Sequence, residues 1–93
     1  MSTTASQATA GIPPGRHTYR INPATTLEAE TAGELVEKLR KWHWAAPATS
    51  GALMVLMARE VRGRYQISVR TTTPTGFVED MLRHGMFTIL PPG

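Results

Sequence analysis

Ala52-Leu53-Met54-Val55-Leu56-Met57-Ala58 is the stretch on which the fold turns. Seven consecutive apolar residues match the length of a buried strand, and strict alternation from Arg64 to Arg70 follows. A turn around Arg62-Gly63 would set Met54, Leu56 and Ala58 on one face with Tyr65, Ile67 and Val69. Composition argues the other way. Ala, Leu and Met are good helix formers, and Gly63 would cap a helix spanning 51–62. The strand is the favoured reading and the helix stays open beside it.

The flanking segments read more simply. His17 to Ile21 alternates, with Tyr19 and Ile21 on one side, and predicts a short strand that Asn22-Pro23 breaks. Thr31-Ala32-Gly33-Glu34 fits a capping box, and Leu35, Leu39, Trp42 and Ala46 then recur at three- and four-residue steps. This predicts a helix over about 31–44, supported by Glu34–Lys38 and Glu37–Lys41 pairs, with Pro47 ending any extension. In a second helix, Thr73 is the N-cap, Pro74 the first helical residue and Gly85 the residue past the end. Phe77, Val78, Met81 and Leu82 form its apolar stripe, and Met86 to Leu90 reads as a closing strand.

With residues 52–58 as a strand the order is βαββαβ, the ferredoxin-like arrangement of two helices on one face of a four-stranded antiparallel sheet. With residues 51–62 helical it becomes βααβαβ around three strands. Both are α+β.

Ninety-three residues suffice for one domain with a modest core, here expected over 17–90. Residues 1–16 are rich in Ser, Thr, Ala, Gly and Pro and read as a disordered tail; Pro91-Pro92-Gly93 reads as a terminal breaker. Zero cysteines exclude disulfides and thiolate metal sites, so packing must supply stability. No apolar run approaches the roughly 20 residues that cross a bilayer, and the first sixteen residues lack the pattern of a secretory signal. No membrane partner and a cytoplasmic location are therefore expected.

The net charge of +3 is mild but uneven. Residues 59–70 carry Arg59, Arg62, Arg64 and Arg70 against Glu60 alone. In the four-stranded reading the open sheet face shows Thr18, Arg20, Arg64, Gln66, Ser68, Arg70 and Thr88, a surface suited to phosphates or acidic side chains. Leu53, Val55 and Met57 would make an exposed apolar stripe, which points to a partner or a homodimer contact. Trp44 shares a helical face with Glu37, Arg40 and Lys41, about 200° from Trp42. Either Trp44 is an exposed anchor, as Trp and Arg often are in interfaces, or the helix ends near His43 and the chain folds Trp44 back beneath the domain.

Catalytic patterns are absent. His17, His43 and His84 have no metal-ligand spacing, no serine lies in a nucleophile elbow, and no glycine-rich phosphate loop occurs. Asp80 and His84 lie four apart on the second helix, a spacing that usually marks an ordinary surface contact. The expected function is a non-enzymatic protein-binding module, a small inhibitor, adaptor or assembly subunit. An accessory protein of a phage or plasmid acting on a host nucleic-acid-processing machine would fit that description. No cofactor is expected. The partner-binding candidates are Trp44, Arg40, Lys41, Arg20, Arg62, Arg64 and Arg70. Direct nucleic-acid binding by the arginine face is the alternative, and a small phosphate-ester or acyl-phosphate hydrolase using Arg20 and Asn22 the second.

Overall fold

The computed structural model describes residues 12–91. Residues 1–11 of the expected 1–16 tail, and Pro92-Gly93, lie outside that range. In chain order the elements are β1 (His17–Asn22), β2 (Thr25–Ala29), α1 (Ala32–Trp42), α2 (Ser50–Tyr65), α3 (Pro74–Arg83) and β3 (Thr88–Ile89). Three helices and a three-stranded antiparallel sheet of order β2-β1-β3 make an α+β fold.

The decisive stretch is helical. Thr49 caps α2, its hydroxyl accepting the Ala52 N–H at 3.0 Å. Leu53, Met54, Met57 and Val61 are buried at helical spacing, while Val55 is exposed. The four-stranded ferredoxin-like arrangement is therefore not the one formed, and the predicted apolar stripe of Leu53, Val55 and Met57 does not exist as a surface. The βααβαβ alternative placed this helix correctly, yet it too put a strand at 64–70 and none at 25–29. Gly63 does not end α2. The helix continues to Tyr65, and Gln66 takes the left-handed position (φ 60°), its N–H bonding the Arg62 carbonyl at 3.0 Å.

The second strand comes instead from Thr25–Ala29, which forms a hairpin with β1. Asn22 makes the turn, its side-chain oxygen accepting the Ala24 N–H at 2.9 Å. The register shifts between Arg20, opposite Thr26, and Asn22, opposite Thr25, leaving Ile21 at a bulge. β3 pairs with the other edge of β1, Tyr19 opposite Ile89 and Arg20 opposite Thr88. Both edges of β1 are thus occupied, and residues 66–70 have neither a free central edge nor a strand at 52–58 to pair with. They run as a connection, held by Arg62 donating to Ser68 at 2.9 Å and by Arg70 bonding Asp80.

α1 is the hub, packing on β2, α2 and α3. Its N-cap is Thr31, whose hydroxyl accepts the Glu34 N–H at 3.1 Å; Glu34 reaches back to the Glu30 N–H rather than to that of Thr31. The Glu34–Lys38 pair forms at 3.4 Å, but Glu37 pairs with Arg40 instead of Lys41. The buried residues of α1 are Ala32, Leu35, Val36 and Leu39, and the stripe continues into His43 rather than Trp42. Trp42, expected in the core, is 40% exposed.

Thr73, Pro74 and Gly85 hold their predicted places on α3. The Met86 N–H bonds the Met81 carbonyl and the Gly85 N–H that of Leu82, a Schellman end that requires the positive φ of Gly85. Phe77, Val78 and Met81 of α3 join Tyr19, Ala29, Leu35, Val36, Leu39, Leu53 and Phe87 in one core. Ahead of β1, Ile12 packs against that core and Arg16 lies 3.7 Å from Glu34.

Candidate functional site

A groove of about 750 Å³ opens where four element ends converge. The end of β1 supplies Arg20 and Asn22, the end of α1 and the turn after it supply Trp42, His43 and Trp44, the last two turns of α2 supply Glu60, Arg64 and Tyr65, and β3 and the approach to it supply Thr88 and Met86. Four large hydrophobic residues are exposed among the described residues: Trp42, Trp44, Val55 and Tyr65. Three of them line this groove. Such concentration separates it from ordinary surface, where apolar residues are scattered singly.

Trp44 is 85% exposed. The helix stops at Trp42, and the cap residue His43 (ψ 137°) leaves helical geometry. A turn follows in which the Ala46 N–H bonds the His43 carbonyl at 2.9 Å and Ala46 takes φ 46°. The chain does turn at His43, but it turns Trp44 outward.

His43 is what holds this turn. Its ring is buried, its Nε2 lies 3.0 Å from Glu60 Oε2, and its Nδ1 lies 3.1 Å from the Ala45 amide nitrogen. An amide N–H can only donate, so Nδ1 accepts and Nε2 carries the proton that Glu60 receives; the partners assign the tautomer. The imidazole meets Trp42 edge-on at 6.3 Å between centroids and lies tilted against Trp44 at 5.6 Å. With both nitrogens engaged it acts as a strut between the indoles. Nothing in the sequence beyond the flanking tryptophans marked His43 for this role, because Glu60 is seventeen residues away.

The seven predicted binding residues divide. Trp44, Arg20 and Arg64 come together in the groove. Arg62 sits on the last turn of α2 outside it, bonded to Ser68. Lys41 is exposed at the end of α1. Arg40 is structural. It pairs with Glu37 at 2.8 Å and donates to the Pro47 carbonyl at 3.2 Å, while Ser50 donates to Glu37 at 2.7 Å, so these groups tie the α1–α2 connection together. Donation by Arg40, then by Ser50, holds the Glu37 carboxyl down to about 2.

Arg70 is also structural. It donates to both oxygens of buried Asp80 at 3.0 Å and to Glu79 at 3.2 Å, its backbone N–H bonds Asp80 at 2.7 Å, and Arg83 donates to the same carboxylate. These donors, Arg70 first, hold the Asp80 carboxyl below its usual range. Asp80 is therefore engaged by arginines rather than by the His84 ring. Of the expected sheet face, Thr18, Arg20 and Thr88 remain on the sheet, while Arg64, Gln66, Ser68 and Arg70 do not.

Comparison with protein-family models, with curated proteins and with solved structures returned no match. Among the described residues, no helix is long and apolar enough to cross a membrane.

Proposed function

We propose that this chain is a non-enzymatic protein-binding module that engages its partner through the groove around Trp44. The observation that carries the reading is the meeting of Trp42, Trp44, Tyr65, Arg20 and Arg64 at one concavity. Trp, Tyr and Arg are the residue types most enriched at interface hot spots, where they fill pockets and exclude water. Exposing two indoles and a phenol is unfavourable for an isolated domain, and a partner that covers them recovers apolar burial at about 25 cal/mol per Å². The engaged ring nitrogens of His43 support a positioning role rather than proton transfer. An inhibitor, adaptor or assembly subunit needs nothing more than such a surface.

Affinity capture from nuclease-treated lysate of the source organism tests this. Wild-type protein should retain a discrete partner that Trp44→Ala loses and the control Val55→Ala, on an exposed face of α2 outside the groove, keeps. Equal recovery by all three, or a partner retained only when the nuclease is omitted, would remove the reading.

A further inference from the structure

Resting on that reading, we infer that the partner presents an acidic segment, in which carboxylates flank a bulky apolar side chain, and that Arg20 and Arg64 receive those carboxylates. The eight arginines of the chain fall into two groups. Arg16, Arg40, Arg70 and Arg83 each pair with a carboxylate of this chain. Arg20, Arg59, Arg62 and Arg64 have no ion pair among the described residues, and two of these four line the groove. The groove's one acid, Glu60, is turned to the His43 Nε2.

The surface around the indoles therefore holds unneutralised guanidinium groups, whose fork geometry suits carboxylates in a bidentate manner. Trp44 and Tyr65 line the same groove and offer apolar area for a side chain of the same segment. A volume of about 750 Å³ accommodates a few residues rather than a broad flat surface. Nucleic acid fits less well. A continuous phosphate backbone calls for a run of cations longer than the two groove arginines, and a total charge of +3 supplies little counterion release.

The test is titration of the full chain, 15N-labelled, with four probes: a capped octapeptide Asp-Glu-Asp-Leu-Phe-Glu-Asp-Glu, its Asn/Gln counterpart, its all-Lys counterpart, and a deoxythymidine decamer. Tryptophan fluorescence and amide shifts at 42–44 and 64–65 report occupancy. The acidic peptide should bind at least about tenfold tighter than the neutral one and weaken with salt. The double variant Arg20→Glu with Arg64→Glu, both sites being exposed, should keep the wild-type circular dichroism and reverse the preference toward the lysine peptide. Equal binding of neutral and acidic peptides overturns the acidic assignment while the protein-binding reading stands. An unchanged preference in the double variant overturns the role of the two arginines. Shifts from the decamer without shifts from any peptide overturn both this inference and the protein-binding reading. No shift from any probe at about 1 mM overturns the inference, leaving the capture experiment to decide the broader reading.

Discussion

His43 and Glu60, seventeen residues apart, meet at 3.0 Å where the ends of α1 and α2 close on each other. This bond fixes an imidazole that touches both tryptophans, so the placement of the indoles rests on a contact between two helices.

Removing the ring should therefore do two things. His43→Ala is expected to cost about 1–3 kcal/mol, since it empties a buried position and frees the Ala45 N–H and Glu60. It should also loosen Trp44, visible as lower fluorescence anisotropy. Glu60→Gln keeps an acceptor oxygen for Nε2–H and should stay within about 0.5 kcal/mol of wild type in denaturant melts. Equal damage from both changes would show that the turn needs the Glu60 carboxylate itself and not merely an acceptor oxygen for Nε2–H.

Trp44→Ala should leave the melting temperature nearly unchanged, because little of its side chain is buried. Trp42→Ala, at 40% exposure, should cost a modest amount, about 1–2 kcal/mol. Acrylamide should quench both indoles, Trp44 more steeply, because Trp42 is also partly exposed.

Leu39→Ala should destabilise by about 2–5 kcal/mol, since Leu39 is fully buried where α1 meets the core. Val55→Ala should cost under about 0.5 kcal/mol. Comparable losses would contradict the outward placement of Val55 on α2.

Two glycines should respond oppositely to alanine. A Cβ at Gly63 meets nothing within 4 Å, so Gly63→Ala is expected to stabilise α2 by about 0.5–1 kcal/mol through helix propensity. A Cβ at Gly76 would lie 3.2 Å from the Thr73 hydroxyl oxygen and 3.4 Å from Arg70 Cζ. Gly76→Ala should therefore lower the melting temperature by crowding the cap and the Arg70–Asp80 pair, and a gain there would show that the cap relaxes freely.

Acid should weaken the fold in a defined window. Glu37 titrates at about 2 in the folded chain against an ordinary 4.5, and Asp80 is also lowered from 3.8. A depressed carboxyl contributes stability that is complete above its unfolded value and is lost as pH falls through the folded one. The melting temperature should accordingly fall between about pH 4.5 and pH 2, and Glu37→Gln should flatten part of that fall without abolishing it, because Asp80 remains. Wild-type stability unchanged down to pH 2 would contradict both pairings.

Elements that carry their own end signals are local and legible from neighbouring residues. Thr31, Thr73, Pro74 and Gly85 act within three or four residues of their partners, so α1, α3 and the strand before Asn22 were legible without a fold. Thr49 caps α2 in the same way, but its local signal competes with a seven-residue apolar run whose burial pattern depends on what surrounds it. Tertiary structure decided that run, because Leu53, Met54, Met57 and Val61 find the core along one helical face and both edges of β1 are already taken by β2 and β3. It also decided which arginines are available. Arg40 and Arg70 read in sequence like Arg20 and Arg64, but Glu37 and Asp80 reach the first two and no carboxylate among the described residues reaches the others. Charge pairing and burial depend on distances across the chain, and the fold alone sets those distances.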